Sequence, residues 1–432
     1  MNTVKIALIG FGTIGTGVAK ILLEHKDRIA RSTGTNVELA RVCDTDTSRD
    51  RGIVLPEGML TDDLNVILDD TSISVAIELV GGLEPARSIV LSLLKAGKDV
   101  VTANKSLLAT HGPEIFDTAR DCDRLVAFEA AVGGGIPVIN ALSTSLQANE
   151  LRQIHAIVNG TCNFILTAME EKGTDYKHAV AEAQRLGYAE ADPTLDVDGT
   201  DTVQKLTILA QLAFGVYPNW RIIPRFGIDI VDAVDIFYAK RLGYRIKLLA
   251  TADATSDGLE LYVSPTLVRR HTPIAEVRDS FNIIKVVGDA VGEVVLLGRG
   301  AGKMPTASAV VGDVIDTILG RAKTTFDTLR LWGKDRLSQP IKNPADIFGK
   351  NYLRFLVEDR PGVLAEITNI LGQHGISISS VLQQEQETET EDLPVTLIIM
   401  THTAREGDML DAITKIDALP CTFGKTIRMR VE

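Results

Sequence analysis

The apolar residues of the first 130 positions occur in short runs that alternate with stretches of helical spacing. Runs rich in Val, Ile and Leu predict strands at residues 4–9, 37–43, 75–80, 99–102 and 125–129. Apolar positions recur at helical spacing in residues 86–94 and 113–121. Because unbroken apolar runs are typical of strands buried on both faces, and helical crossovers join parallel strands, the pattern predicts a parallel α/β domain over residues 1–140.

From about residue 140 the rhythm changes to a mixture of longer helices and strands. Strands are predicted at residues 153–158, 259–263, 283–287 and 293–297. Helices are predicted at residues 163–171, 176–186, 200–214 and 305–319. We therefore expect a second, mixed α+β domain over residues 141–325, with helices packed on an open sheet.

The C-terminal part of the chain has the pattern of a small separate domain. Residues 326–350 contain prolines, glycines and charges without periodicity, which predicts a linker. After it, strands are predicted at 352–358, 376–383, 395–401 and 426–431, with helices at 363–374 and 407–416 and a polar, acidic loop at 384–392. This order, βαββαβ, predicts a ferredoxin-like domain over residues 351–432.

Composition excludes several classes of protein. The 432 residues carry a formal net charge of −12, which argues against broad nucleic-acid binding. The four cysteines are scattered, without the spacing of a zinc site or a disulfide framework. No apolar stretch approaches the roughly 18 residues of a membrane span, and no signal-peptide pattern is found. We expect a cytoplasmic protein that does not bind membranes.

A glycine-rich turn follows the first predicted strand and precedes a predicted helix. Gly10 permits a tight turn, Gly12 lets the main chain approach a pyrophosphate, and Gly15 allows the helix to pack closely on the strand. Asp44 ends the second strand, where a carboxylate can accept hydrogen bonds from a ribose. The motif predicts a dinucleotide-binding Rossmann domain, although a glycine turn without a cofactor would have the same pattern.

One lysine stands among five carboxylates in residues 183–205. Asp201 and Lys205 are four residues apart at the start of a helical pattern, so they share one face of a helix. Nearby carboxylates favour the ammonium form of a lysine, which is a proton donor, and further carboxylates can hold a substrate ammonium group. The alternative is a surface ion pair at a helix start.

These motifs together resemble the homoserine dehydrogenase family, in its form with a C-terminal ACT domain. Residues 183–205 fit the family pattern A-x3-G-[aromatic or aliphatic]-[small]-x2-D-P-x2-D-[aliphatic]-x-G-x-D-x3-K without a departure. The segments at 10–15, 102–105, 159–161 and 300–307 are also similar to family motifs. The resemblance implies NAD(P)H-dependent, reversible reduction of L-aspartate 4-semialdehyde to L-homoserine in threonine, methionine and isoleucine biosynthesis.

The resemblance also implies roles for the acidic segment. Lys205 would be the acid/base residue, while Glu190, Asp201 and Asp196 would form the substrate pocket. This agrees with the chemistry, since hydride reduction of an aldehyde leaves an alkoxide that a cationic donor can stabilise and protonate. Glu190 and Asp201 would bind the α-ammonium group of the substrate, and Asp196 would support the same acidic pocket.

The cofactor residues that the resemblance implies come from both predicted domains. They are Gly10, Phe11, Gly12, Thr13, Ile14, Gly15, Asp44, Lys105, Gly187 and Gly302. Asp44 would favour NAD, whereas Arg49 or Arg41 would accommodate the 2′-phosphate of NADP, and this choice stays open. Without the resemblance, Lys105 would be interpreted as an exposed loop lysine.

Two further sites are implied by the resemblance. The glycine-rich loop after the fifth strand resembles the family's cation loop, with sodium ligands Glu129, Val132, Gly134 and Ile136; a glycine hinge between domains is the alternative. Residues 352–364 resemble the first strand and turn of ACT domains, which implies a threonine effector site. The alternative is a module for oligomerisation alone, and a homodimer or higher homo-oligomer is expected.

Two rival functions share most of these features. One is a Rossmann dehydrogenase that acts on another amino acid. The other is a catalytically silent amino-acid sensor that keeps a nucleotide fold and signals through its last ~80 residues. The intact set of Lys205, Glu190 and Asp201 argues against the sensor.

Overall fold

The computed structural model describes residues 2–332, 339–383 and 394–432. The strands are β1 (Asn2–Ile9), β2 (Thr35–Cys43), β3 (Leu60–Thr61), β4 (Ile73–Glu78), β5 (Asp99–Thr102), β6 (Val126–Ala127), β7 (Leu151–Ile157), β8 (Tyr244–Thr255), β9 (Gly258–Arg269), β10 (Phe281–Gly288), β11 (Gly292–Arg299), β12 (Phe348–Val357), β13 (Ile378–Gln383), β14 (Val395–Thr401), β15 (Ala404–Arg405) and β16 (Ile427–Val431). The loop predicted at 384–392 lies outside the described residues.

Helices cover much of the remaining chain. They are α1 (Thr13–Glu24), α2 (Lys26–Thr33), α3 (Asn65–Leu68), α4 (Ala86–Lys95), α5 (Lys105–Asp121), α6 (Val138–Asn140), α7 (Gly160–Lys172), α8 (Tyr176–Arg185), α9 (Thr194–Val197), α10 (Thr200–Phe214), α11 (Ala233–Arg241), α12 (Pro273–Glu276), α13 (Lys303–Ile318), α14 (Arg321–Leu329), α15 (Val363–Gln373) and α16 (Glu406–Asp417). In the described part of the chain, none has the length and apolar character needed to cross a membrane.

The chain forms two compact units, each built from three segments. The first unit contains Met1–Ile154, Asp201–Ile222 and Ser280–Gln339. The second contains His155–Thr200, Ile223–Asp279 and Pro340–Glu432. The residues predicted as one catalytic domain, 141–325, are therefore divided between both units.

A Rossmann sheet forms the centre of the first unit. Its strands follow the order β3-β2-β1-β4-β5-β6, and all neighbouring pairs are parallel, as predicted. Ile6 and Leu8 of β1 and Val101 of β5 are fully buried in its core. Helix α13 contributes Val310 and Val314 to the same core, although it follows β1 by about 300 residues. Residues from late in the chain thus complete the N-terminal fold.

The second unit contains an antiparallel hairpin and the ferredoxin-like domain. Strands β8 and β9 pair antiparallel along their length, and β9 pairs in parallel with β16. The C-terminal sheet follows the order β16-β12-β14-β13 with antiparallel neighbours, and α15 and α16 supply buried residues to its core. This arrangement confirms the predicted βαββαβ order.

Several element boundaries differ from those predicted. Helix α5 begins at Lys105, and Pro113 lies inside it, after a kink at His111 with φ −123°. Strand β6 has only two residues and is followed by a 3-10 helix at Glu129–Ala131. The linker predicted at 326–350 contains the end of α14 and the start of β12.

A buried ion pair joins the C-terminal sheet to helix α11 within the second unit. Asp235 of α11 is fully buried and accepts hydrogen bonds from Arg354 Nε at 2.8 Å and Nη2 at 3.1 Å. It also accepts from Tyr352 Oη at 2.9 Å. Both partners lie on β12, so a single carboxylate connects that strand to the helix.

Candidate active site

The glycine turn between β1 and α1 has the geometry of an anion-binding loop. Gly10 has φ +94°, and a Cβ atom there would lie 2.6 Å from the carbonyl carbon of Leu79. A Cβ at Gly15 would lie 2.1 Å from the Gly10 oxygen, so both positions require glycine. Gly12 precedes α1, and among the described residues no atom beyond its two chain neighbours lies within 4 Å of a Cβ atom placed there. The open main chain and the helix N-terminus suit a pyrophosphate.

The side chain of Asp44 at the end of β2 has three polar contacts, including a hydrogen bond that its Oδ1 accepts from Asp46 N at 2.9 Å. Asp44 also accepts a hydrogen bond from Phe11 N at 2.6 Å and forms an ion pair with Arg51 Nη2 at 3.0 Å. Arg51 Nε also donates to the Phe11 carbonyl at 2.7 Å. Arg51 therefore offsets the charge of Asp44. Arg51 was not predicted, because it lies in an irregular loop with no periodic pattern.

A cavity of about 310 Å³ lies beside the glycine turn and includes Phe11, Arg49 and Arg51 in its lining. Arg49 is exposed there, whereas the Arg41 guanidinium donates to the Ala40 carbonyl. Of the two arginines predicted to receive a 2′-phosphate, the structure places Arg49 in the lining of this cavity.

The predicted acid/base lysine is held by a buried carboxylate. Asp201 Oδ2 lies 2.7 Å from Lys205 Nζ, and Asp201 Oδ1 lies 3.2 Å from Lys105 Nζ. The Asp201 side chain is 8% exposed and the Lys205 side chain 12%, so this is no surface ion pair. Ser106 Oγ donates to Gln204 Oε1 at 2.8 Å and connects the two helices nearby. Asp201 is therefore shared between lysines of α5 and α10.

A chain of polar contacts fixes the start of α5, and with it Lys105. Asn104 caps the helix by accepting from Leu107 N at 3.1 Å, and its amide donates to the Gly82 carbonyl at 2.7 Å. Thr102 Oγ1 accepts from Asn104 N at 3.0 Å and donates to buried Glu78 Oε2 at 2.7 Å. Lys105 therefore begins a capped helix and is not part of a loose loop.

The second glycine loop leads into α13, next to the dinucleotide helix. Gly302 precedes α13 with φ +117°. A Cβ atom on Gly17 of α1 would lie 3.0 Å from both the Lys303 carbonyl oxygen and Ala307 Cβ. This close packing places the start of α13, directly after the predicted cofactor residue Gly302, against α1.

Three predicted cofactor- and substrate-binding residues, Gly187, Glu190 and Asp196, lie in the second unit. Gly187 follows α8 with φ +76°, and Glu190 is exposed. Asp196 Oδ1 accepts from Asn159 Nδ2 at 2.8 Å, and Asn159 also caps α7 through Cys162 N at 2.8 Å. Asp196 is thus tied to the Asn-Gly-Thr segment at 159–161.

The predicted sodium loop is closely packed on the second glycine loop. A Cβ atom on Gly134 would lie 2.4 Å from the Gly300 oxygen. Both carboxylate oxygens of Glu129 accept main-chain bonds, from Ile139 N and Asn140 N at 2.8 Å, and burial raises its pKa to about 7. Among the described residues, no group of three or more His, Cys, Asp and Glu could hold a metal. Because both carboxylate oxygens of Glu129 already accept main-chain bonds, a cation here would depend on main-chain carbonyls, which suit sodium.

The turn before α15 forms a separate cavity of about 350 Å³ in the second unit. Its lining includes residues 357–364 together with Gln383 and Leu397. Gly362 precedes the helix with φ +98°, a conformation that favours glycine. The geometry can admit a ligand close to the main chain, as an amino-acid effector would require.

Known proteins resemble this chain over its full length. Family models match residues 10–129 (homoserine dehydrogenase, NAD binding domain), 137–315 (homoserine dehydrogenase) and 351–421 (ACT domain). The homoserine dehydrogenase of Pseudomonas aeruginosa is 42% identical over all of this chain and 99% of its own. The crystal structure of a homoserine dehydrogenase from Thiobacillus denitrificans has 41% identity and a TM-score of 0.91, covering 100% of this chain and 99% of its own.

The Rossmann sheet, the bare glycine turn and the buried Asp201–Lys205 pair define an oxidoreductase that uses a nicotinamide dinucleotide. The full-length similarity specifies the kind of oxidoreductase. The chain belongs to the homoserine dehydrogenase family, with a C-terminal ACT domain.

Proposed function

We propose that the protein interconverts L-aspartate 4-semialdehyde and L-homoserine in threonine, methionine and isoleucine biosynthesis, under feedback control by threonine. The observation that carries the catalytic part is the buried ion pair between Asp201 and Lys205, at 2.7 Å. It holds a cationic proton donor in the first unit, which also contains the dinucleotide turn.

Lys205 would act on the aldehyde oxygen. When bound, the nicotinamide supplies or accepts the hydride. The ammonium group of Lys205 would stabilise the negative charge that develops on that oxygen and would then deliver a proton to it. Asp201, which accepts from Lys205 and Lys105, would fix the position of the donor.

The substrate also carries an ammonium group, which needs anionic partners. Glu190 and Asp201 would supply charge-assisted hydrogen bonds to this group. Asp196, which accepts from Asn159 Nδ2 at 2.8 Å, would support the same acidic pocket. These contacts would distinguish an amino-acid aldehyde from a simple aldehyde of the same length.

An assay of the purified protein tests the proposal. NAD(P)H oxidation should be rapid with L-aspartate 4-semialdehyde, and slow with simple aldehydes and with other amino-acid carbonyl substrates. A higher kcat/KM for another amino-acid substrate would favour the rival dehydrogenase. Absence of turnover with every carbonyl compound would favour the silent sensor.

We infer that the protein accepts NADPH, with Arg49 receiving the 2′-phosphate. Arg51 offsets the charge of Asp44, and Arg49 is exposed in the neighbouring cavity of about 310 Å³. A hyperthermophilic archaeal homoserine dehydrogenase, 26% identical with a TM-score of 0.63, has been solved in complex with NADPH.

The Arg49→Ala variant tests this inference. Its KM for NADPH should rise about tenfold, since a charge-assisted contact to phosphate is lost, while its KM for NADH should change little. Steady-state kinetics with both cofactors measure the effect, and Arg31→Ala, another exposed arginine of this unit, is the control. Equal changes for both cofactors would contradict the assignment.

Threonine inhibition would act through the turn cavity before α15. Leu364 lies in its lining and is 42% exposed, so Leu364→Trp should fill the cavity without disturbing the core. The threonine concentration for half-inhibition should rise at least about tenfold, with kcat unchanged in the absence of threonine. Activity titrations measure this, and Leu410→Trp, at 44% exposure on α16, is the matched control. An unchanged threonine response would argue for oligomerisation as the role of the domain.

Two structural features support the remaining expectations. The main-chain carbonyls of Glu129, Val132, Gly134 and Ile136 would hold a structural sodium ion.

Strand β11 exposes apolar side chains on one face, including Leu297 at 60%. Such a face supports burial against a second copy of the chain, in a homodimer or higher homo-oligomer. Light scattering of the purified protein tests the second expectation.

A further inference from the structure

A second cavity in the second unit lies between the C-terminal sheet and the β8–β9 hairpin. Its volume is about 260 Å³. It shares no lining residue with the turn cavity before α15. The lining side chains that carry charge are His155, Lys350, Arg430 and Glu432, and the uncharged polar ones are Thr251, Tyr262, Thr266 and Thr403. None of these residues has a place in the proposed reaction.

His155 contributes a positive charge to this cavity. Its Nε2 lies 3.0 Å from Asp253 Oδ1 and its Nδ1 lies 2.9 Å from Glu432 Oε1. Burial opposes protonation, but the hydrogen bonds to both carboxylates outweigh it and raise the pKa of His155 to about 9. The ring is therefore an imidazolium at neutral pH, with a donor at each nitrogen.

Arg430 supplies a guanidinium with unused hydrogen-bonding capacity. Its side chain is only 8% exposed; Nη2 contacts Glu406 Oε2 at 2.5 Å, and the guanidinium lies 5.1 Å from the centre of the Tyr262 ring. Nη1 is buried and has no hydrogen-bond partner among the described residues. A Cβ atom on Gly349, another lining residue, would lie 2.1 Å from Nη1, so only glycine leaves room there. A buried donor without an acceptor is destabilising, and a ligand oxygen would satisfy it.

The charges around the cavity favour a zwitterion with its anionic end inward. His155, Lys350 and Arg430 are positive and Glu432 is negative, while Asp253 and Glu406 lie behind His155 and Arg430 as their partners. A carboxylate would suit the three cations, and an ammonium group would suit Glu432. The volume is sufficient for a small metabolite, since a water molecule occupies about 30 Å³ of liquid.

We propose that this cavity binds a small α-amino acid, with its carboxylate at Arg430 and its ammonium group at Glu432. The site is distinct from the turn cavity and would be a second effector site of the chain. A bound amino acid would affect strand β7, because His155 belongs to that strand and lines the cavity. The Asn-Gly-Thr segment at 159–161 follows β7 directly. The ligand would thus influence the segment that holds Asp196.

Local hydrogen–deuterium exchange in the full chain tests the proposal. L-Threonine, L-methionine and L-alanine are added separately to the Leu364→Trp variant, in which the turn cavity is filled. At least one of them should slow exchange in peptides that contain residues 348–351 and 428–432, and its amide, which lacks the carboxylate, should not. The readout does not depend on turnover, so a failure of the proposed reaction would leave it unaffected.

Matched variants separate this cavity from other binding. Thr403 is exposed at the cavity, so Thr403→Trp should fill the cavity. The amino-acid concentration needed for half-saturation should then rise at least about tenfold. Thr414→Trp, an exposed threonine of α16 outside the cavity, should leave binding unchanged. Arg430→Lys keeps the charge but removes Nη1, and should weaken binding as well. Absence of protection with all three amino acids, or protection that persists in Thr403→Trp, would overturn the proposal.

Discussion

Replacement of Lys205 by alanine is expected to lower kcat about 1000-fold while the affinity for NADPH stays within about twofold. A general acid contributes about 10²–10⁴ in rate, and the charge of the ammonium group adds stabilisation of the developing alkoxide. The dinucleotide turn at Gly10–Gly15 keeps its own contacts in this variant. Single-turnover kinetics and fluorescence titration of NADPH would measure the two quantities.

Lys323→Ala is the matched control for this experiment. Lys323 and Asp327 also form an ion pair between residues four apart on a helix, at 2.9 Å, but the pair is more exposed. Its loss should change kcat by less than about twofold, because exposed pairs contribute little and Lys323 has no place in the proposed reaction. A near-normal kcat in Lys205→Ala would remove the catalytic role of that lysine.

Replacement of Asp235 by alanine is expected to lower the free energy of unfolding by about 3–5 kcal/mol. Breaking a buried ion pair leaves its partner uncompensated, and here Arg354 and the Tyr352 hydroxyl would both lose their acceptor. The change in the urea midpoint of unfolding, followed by circular dichroism, would measure this loss. Threonine inhibition should weaken too, because β12 would lose its anchor on α11.

The exposed pair of Asp346 and Arg405, at 2.7 Å, provides the control. Both side chains are exposed, so Asp346→Ala should change the free energy of unfolding by less than about 1 kcal/mol. Similar losses of unfolding free energy in Asp235→Ala and Asp346→Ala would show that the burial of Asp235 does not determine its contribution to stability.

The fold could be predicted wherever the apolar pattern has one simple period. The parallel strands and the C-terminal βαββαβ order were predicted because their buried positions form unbroken or regular runs. Strand β8 was missed, since Lys247 interrupts its apolar run. That lysine is buried, its Nζ donates to Asn163 Oδ1 at 2.8 Å, and burial lowers its pKa to about 7. A sequence does not reveal that a lysine faces a core.

The candidate site was predictable only where its parts are close in the sequence. Asp201 and Lys205 lie one helical turn apart, and the structure places them on one face of α10 as predicted, 2.7 Å from each other. The contact of Asp201 with Lys105 joins distant helices, and no local spacing indicates it. Arg51 was missed for the same reason, because its pairing with Asp44 depends on the path of an irregular loop.

The place of α13 in the Rossmann core has a consequence for synthesis of the chain. Ala307, Val310 and Val314 cover apolar surface of a sheet whose first strand leaves the ribosome about 300 residues earlier. Until that helix emerges, the nascent N-terminal fold presents an uncovered apolar patch, of the kind that chaperones bind and that promotes aggregation. A fragment that stops before residue 303 would be caught permanently in that unfinished state.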